Sequence, residues 1–174
     1  LISSPNLKKN KGKINERAEK FEETGPASIQ IEMQDFSQKE LEWWASYGIT
    51  LPILRKFRVY SCKSIFLNGN YFASSNEQSP IYGYYKGKKD RLELWRIYFP
   101  KRKSYRFLSN WSAKMIQGLD QLPKKGKVLV ITKSLKDVMT FYSCGIPAIA
   151  PNSENLFIPQ TLFDELKSRF EHIC

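Results

Sequence analysis

Two ionisable side chains, Lys133 and Asp137, lie one helical turn apart in the segment KVLVITKSLKD (residues 127–137). A lysine can bind a phosphate group or an acidic partner, and a carboxylate can bind a metal ion. Asp137 could equally be a surface acid favoured by the dipole at the start of a helix. Two such residues do not make a metal site, since Mg²⁺ usually lies between carboxylates and phosphates. Lys133 and Asp137 are therefore our candidate catalytic residues, and Asp137 is a candidate ligand of an incomplete metal site.

The elements around these residues form the pattern of a βαβ unit. The apolar run Val128–Ile131 has no polar alternation, which predicts a strand buried on both faces. A helix follows, with apolar residues at i, i+3, i+4 and i+7 (Leu135, Val138, Met139, Tyr142) and Gly145 at its end. Ile146–Ala150 is the second predicted strand. Lys133 thus follows a central strand, at the edge where open α/β sheets bind ligands.

The residues after the second strand continue this pattern. Asn152, Ser153 and Glu154 should face the same crevice as Lys133, where they could contact a ligand or simply cap the next helix. Pro159 opens that helix, whose predicted buried stripe is Leu162, Phe163, Leu166 and Phe170. A third strand is expected at His172–Cys174.

The positive charge of the chain is concentrated in one segment. The formal net charge is +11 over 174 residues, and residues 81–127 hold 13 Lys/Arg against 3 Asp/Glu. A basic patch of this kind usually faces a polyanion. The segment also interleaves aromatic rings (Tyr84, Tyr85, Trp95, Tyr98) with the cations, and unpaired bases stack on flat rings.

This pattern predicts nucleic-acid or nucleotide binding, and the alternative is a solvated surface with lysines at turn tips for solubility. The candidate binding residues are Lys86, Lys88, Lys89, Arg91, Arg96, Tyr98, Lys101, Arg102, Lys103 and Arg106. Strand alternation would place Arg96 and Tyr98 on one face and Trp95, Ile97 and Phe99 on the other.

Short sequence patterns predict the helices, strands and turns of the amino-terminal half. Ile29–Met33 alternates and predicts an edge strand, and Ser37 and Glu40 have the spacing of a capping box for a helix ending at Gly48. A second short helix is predicted at Thr50–Phe57. Residues 59–107 predict antiparallel strands, with hairpins around the turn segments Asn68–Phe72 and Lys86–Asp90. Trp43 and Trp44 are predicted to be core or interface residues rather than base-stacking ones.

The predicted fold class is therefore α+β. A small basic antiparallel sheet with helices precedes an α/β half-domain built on the βαβ unit. The predicted organisation is a flexible basic arm or linker over residues 1–27, a subdomain over 28–123, and a second, partial subdomain over 124–174.

Composition argues against several classes of protein. The cysteines Cys62, Cys144 and Cys174 are isolated and there is one histidine, which argues against structural zinc and a disulfide framework. No run of 18 apolar residues exists, so no membrane association is expected, and a reducing cytoplasmic setting fits best.

The run Lys127–Ser153 resembles the first half of a TOPRIM domain of phage DNA primases and primase–helicases. The patterns W-x-x-Y-G-I-T from Trp44, L-x-x-F-x-V from Leu54, and Y-G-Y…L-W-R-I-Y-F-P ending at Pro100 resemble the polymerase region of those proteins. The resemblance covers roughly residues 36–174. It implies a primase that makes short RNA primers on single-stranded DNA by Mg²⁺-dependent nucleotidyl transfer. The implied partners are the template, nucleoside triphosphates and a replicative helicase, in the cytoplasm of a bacterial host.

The chain departs from the family pattern at its catalytic acids. Lys133 stands where the family has a glutamate, whereas Asp137 matches the second acid. The family's Asp-x-Asp metal motif would begin about at Cys174, and the family's zinc-binding module is absent, so this piece is expected to be inactive by itself. The alternatives are a non-catalytic nucleic-acid-binding module with a degenerate TOPRIM fold, and a scaffold for an acidic protein.

Overall fold

The computed structural model describes residues 27–153 and 156–174. The prediction of a linker over residues 1–27 lies outside the described residues, except at Ala27.

The amino-terminal half is an antiparallel sheet with two helices. Its elements are β1 (Ile29–Gln34), α1 (Gln38–Ala45), α2 (Leu51–Lys56), β2 (Val59–Leu67), β3 (Asn70–Ser74), β4 (Tyr82–Lys89), β5 (Leu92–Tyr98) and β6 (Phe107–Ser109). The strand order is β1-β2-β4-β5-β6, and β3 pairs with β2. The edge strand, both helices and both hairpins predicted from the sequence are confirmed.

Local chemistry accounts for the first helix. The Ser37 hydroxyl accepts a hydrogen bond from the Glu40 backbone N–H (3.3 Å), and the Glu40 carboxylate accepts one from the Ser37 N–H (2.8 Å). This is the predicted capping box, which satisfies two backbone donors at the start of α1. Gly48 ends the segment with a φ of +74°, a conformation that disfavours residues with a Cβ.

The carboxyl-terminal half contains a second, mixed sheet. Its elements are β7 (Ile116–Gln117), a 3₁₀ helix (Leu119–Gln121), β8 (Gly126–Ile131), α3 (Leu135–Ser143), β9 (Ala148–Pro151), α4 (Gln160–Arg169) and β10 (Phe170–Ile173). The order is β10-β8-β9-β7, with β8 parallel to both β10 and β9 and with β7 antiparallel to β9. The βαβ unit is present, and the α+β class is confirmed.

Three details of the prediction are wrong. The turn predicted at Lys86–Asp90 lies at Asp90–Arg91, because β4 continues to Lys89 through a bulge between Tyr85 and Gly87. Phe170 belongs to β10 rather than to the stripe of α4. The strand predicted to be buried on both faces is only partly buried, because Leu129 is the one fully buried residue of β8. Val130 nevertheless packs into one core cluster and Ile131 into another.

The two halves share one apolar core. The rings and side chains that pack together are Trp44 of α1, Leu54 of α2, Tyr82, Tyr84 and Tyr98 of the first sheet, and Leu135, Val138 and Met139 of α3. A second cluster lies on the other face of β5, around Trp95, Ile97 and Phe99. The predicted alternation along β5 is therefore confirmed, and so is the core position of Trp44.

The predicted subdomain boundary between residues 123 and 124 stays a prediction. Strand β7 precedes that boundary and pairs with β9 of the second sheet. In the described part of the chain, no helix is long and apolar enough to cross a membrane.

Candidate phosphate-binding crevice

A crevice of about 490 Å³ lies where the first sheet meets the carboxyl ends of β8 and β9. It is lined by Tyr84, Arg96, Tyr98, Arg106, Phe107, Lys133, Ser134, Lys136, Asp137, Asn152 and Ser153. Five of the residues predicted from the sequence therefore come together here: Arg96, Tyr98, Arg106, Lys133 and Asp137. Their assigned roles stay predictions.

Each wall of the crevice follows from an element already described. Strands β4 and β5 and the start of β6 supply Tyr84, Arg96 and Phe107. The turn after β8 and the first turn of α3 supply residues 133–137, and Asn152 and Ser153 follow β9. Because β8 and β9 are parallel, both ends open on the same edge, as the βαβ pattern predicted.

Arg96 joins the two walls. Its Nη1 donates to Oδ1 of Asn152 (2.5 Å), and the guanidinium carbon lies 4.2 Å from the centre of the Phe107 ring. Its Nε is buried and has no hydrogen-bond partner among the described residues. Burial lowers the pKa of Arg96 from its ordinary value, yet a guanidinium keeps its charge at neutral pH. A buried cation with an unused donor is suited to an anionic ligand.

A second arginine reinforces the positive charge. Arg106 donates from Nη2 to the Tyr98 hydroxyl (2.7 Å) and lies above the Tyr98 ring at 5.4 Å. Burial raises the pKa of Tyr98, while Arg106 opposes this effect and nearby Asp137 adds to it. Tyr98 is therefore a neutral donor at physiological pH.

The first turn of α3 holds the acidic side chain. Oδ2 of Asp137 accepts from the Ser134 hydroxyl (2.8 Å), and Ser134 caps α3 by accepting from the Asp137 N–H (3.3 Å). Lys136 lies 3.6 Å above the ring of Tyr47. Among the described lining residues the charges are four cations and the single carboxylate of Asp137.

The fit of Mg²⁺ to these residues can be judged from the donor set. The described residues contain no group of three or more His, Cys, Asp or Glu side chains that could hold a metal ion. Asp137 supplies one carboxylate, and one of its oxygens is engaged by Ser134. The described residues therefore do not form a magnesium site.

The remaining predicted residues lie outside the crevice. Lys86 forms an ion pair with Asp120, and this ion pair connects β4 to the 3₁₀ helix. Lys88 forms an ion pair with Glu93 at 3.3 Å. Lys89 and Arg91 are exposed around the tip of the β4–β5 hairpin.

Lys101, Arg102 and Lys103 are exposed on the loop between β5 and β6. The guanidinium of Arg102 lies 3.6 Å from the centre of the Phe99 ring. Lys101 lines a separate cavity of about 410 Å³ beside Trp43 and Glu40.

Sequence reasoning did not identify all the crevice residues. Lys136 and Phe107 were missed, although Lys136 lies between Lys133 and Asp137 in the sequence. The structure also buries three of the rings predicted to interleave with cations, since Tyr84, Trp95 and Tyr98 are 2%, 3% and 4% exposed. The rings of Tyr84 and Trp95 are core components and are not available for stacking on bases.

The chain has a distant structural similarity to a solved protein. No protein-family profile matches the chain, and no curated protein matches it. The chain is similar to one in the structure of the bacteriophage T7 lagging-strand DNA polymerase interacting with primase domains of two gp4 subunits bound to an RNA/DNA hybrid and dTTP. The TM-score is 0.48 at 14% identity, and the match covers 81% of this chain and 62% of that one. A TM-score of this size does not transfer function, so the proposals below rest on the residues of this chain.

Proposed function

We propose that the crevice binds phosphate groups of single-stranded DNA or nucleoside triphosphates, and that the chain is part of a phage-type DNA primase. The observation that carries the proposal is Arg96, a largely buried guanidinium on the wall of a crevice that four cations and one carboxylate line. Arg106 lines the same crevice, and the sequence has no Asp or Glu between Glu93 and Asp120. Guanidinium groups match the geometry of phosphate oxygens and bind them through charge-assisted hydrogen bonds.

The finer parts of the proposal derive from the sequence resemblance. In a TOPRIM primase the crevice would lie beside the site of Mg²⁺-dependent primer synthesis, with Lys133 close to the reacting phosphates. The proposed partners are the template strand, nucleoside triphosphates and a replicative helicase, and the proposed location is the cytoplasm. We expect this chain to bind without synthesising primers, since Asp137 is the one carboxylate among the described lining residues.

The test is fluorescence anisotropy of the chain with labelled single-stranded DNA and, by competition, with a nucleoside triphosphate. Replacing Arg96 by methionine keeps much of the side-chain volume and removes the charge. Loss of a charge-assisted hydrogen bond predicts an affinity lower by about tenfold or more. Lys167→Met, on the exposed side of α4, removes the same charge as a control and should change the affinity little. Equal affinities for Arg96→Met and the unchanged chain would contradict the proposal.

The second candidate is a non-catalytic nucleic-acid-binding module, and Lys133 in place of the family's glutamate favours it. Primer synthesis on a template with Mg²⁺ distinguishes the two, using a chain extended past Cys174 that carries an Asp-x-Asp motif. Synthesis by that chain supports the primase, and DNA binding without synthesis supports the module.

A further inference from the structure

The aromatic rings exposed on the amino-terminal half differ from those that the sequence pattern predicted to stack on bases. Phe72 of β3 is 40% exposed, and its ring centre lies 6.4 Å from that of Phe99. Arg102 completes the group, with its guanidinium carbon 5.9 Å from the centre of Phe72 and 3.6 Å from that of Phe99. We call these three residues the Phe72 patch.

The backbone of β3 directs Phe72 to this position. Ile65 pairs with Ala73 and Phe66 pairs with Tyr71, so Phe72 is an extra residue with no partner on β2. A β-bulge of this kind re-aims a side chain and often occurs beside binding sites. Tyr71, the neighbouring residue, is 65% exposed and packs its ring against Phe66 instead.

The charge around the patch favours an anionic ligand. Arg102 covers the Phe99 ring and leaves its own outer side exposed, and it forms no ion pair among the described residues. Lys101 and Lys103 flank it on the same loop. A flat ring and a guanidinium plane next to lysines combine the two surfaces that single strands require, one for bases and one for phosphates.

We propose that the Phe72 patch binds single-stranded nucleic acid by stacking an unpaired base on Phe72 and Arg102. The inference rests on the proposed function, and it adds a base contact on a surface formed by different residues from those of the crevice. Duplex DNA offers no unpaired base to the patch, and an acidic peptide needs the cations but no flat ring. The requirement for a ring and for an unpaired base therefore distinguishes this ligand from the others.

The experiment compares two labelled oligonucleotides of equal length, one with bases and one abasic, by anisotropy at fixed salt. Phe72→Leu keeps an apolar side chain without a flat ring, and Phe72→Trp restores a ring. Stacking on one aromatic ring predicts that Phe72→Leu weakens binding of the base-bearing strand by about fivefold or more. The abasic strand should change by less than about twofold, since its phosphate contacts are untouched. Phe72→Trp should bind as the unchanged chain does, and Tyr71→Ala is the matched control on the same strand.

The outcomes separate this inference from the proposed function. Selective loss in Phe72→Leu with recovery in Phe72→Trp supports the patch. Binding of both strands with equal affinity, or an equal loss in Tyr71→Ala and Phe72→Leu, overturns the patch while phosphate binding stands. No binding of either strand at low salt overturns the proposed function and the patch with it.

Discussion

At Arg96, the free-energy cost of burying a cation is directly related to the proposed role of that cation in binding phosphate. Its side chain is largely buried against Phe107 and Asn152, and burying a cation costs free energy unless its donors are satisfied. The buried Nε has no hydrogen-bond partner in the described part of the chain. A phosphate bound in the crevice would offset the cost of burying the positive charge, and this is the physical reason for placing an anion there.

Three buried ionisable groups should make the free energy of unfolding depend on pH in the alkaline range. Burial raises the pKa of the Cys62 thiol from 9.0 to about 12, and it also raises the pKa of the Tyr82 and Tyr84 hydroxyls above their ordinary 10.0. Each group therefore ionises more easily in the unfolded chain. Below pH 9 the folded and unfolded states bind equal numbers of these protons, and above it the unfolded state binds fewer.

The free energy of unfolding should therefore fall as the pH rises above about 9, by at most about 1.4 kcal/mol per pH unit for each group. Urea unfolding at a series of pH values from neutral to alkaline measures this. Cys62→Ala should reduce the slope, because one of the three groups is removed. A free energy of unfolding that stays constant across the alkaline range would show that these groups ionise equally in both states.

At the scale of elements, the local signals in the sequence predicted most of what the structure contains. The capping box at Ser37, the helical spacing of Leu135 to Tyr142 and the alternation along β5 all depend on neighbours close in the chain. The turn at the end of β4 was misplaced because Gly87 occupies a bulge, with a φ of +133°, instead of a turn. Such a bulge depends on the register between two strands, which the local pattern does not specify.

The close packing before the 3₁₀ helix predicts that an alanine substitution destabilises the protein more at Gly118 than at Gly69. Gly118 and Gly69 have φ values of +81° and +80°, so alanine is strained to a similar extent at both. A Cβ at Gly118 would lie 2.6 Å from Val138 and 2.8 Å from the carbonyl oxygen of Ala148, whereas one at Gly69 would meet nothing within 4 Å. Gly118→Ala should therefore be less stable than Gly69→Ala by about 1–3 kcal/mol.

Chemical denaturation of the two variants measures this difference directly, with Gly69→Ala as the control for backbone strain. Equal losses of stability would contradict the close packing of Gly118 between α3 and β9. Because Asp137 lies in the first turn of α3 and Lys133 precedes its N-cap, this packing also helps to fix one wall of the crevice.

At the scale of the whole molecule, the crevice arises where two sheets meet. Arg96 and Asn152 are 56 residues apart in the sequence, and their hydrogen bond exists because α3 and β9 pack on the first sheet through the shared core. The sequence placed Lys133 and Asn152 on one edge through the βαβ pattern. It did not place Arg96 there, since no local signal specifies how the two halves dock.

Burial divides the basic segment into surfaces with different roles. Arg96 and Arg106 line the crevice, Arg102 belongs to the Phe72 patch, and Lys86 and Lys88 pair with carboxylates. The charge excess alone did not distinguish these roles. We propose that single-stranded nucleic acid is the ligand of both the crevice and the patch.

The salt dependence of single-stranded DNA binding tests the central claim most directly. Each phosphate contact to a single strand contributes about 0.7 to the slope of log affinity against log salt. The double variant Arg96→Met and Arg106→Met should therefore lower the magnitude of that slope by about 1.4. Arg55→Met with Lys167→Met removes the same charge from exposed positions on α2 and α4, and it should leave the slope unchanged. An unchanged slope in the crevice variant, or an equal decrease in the control, would contradict phosphate binding in the crevice.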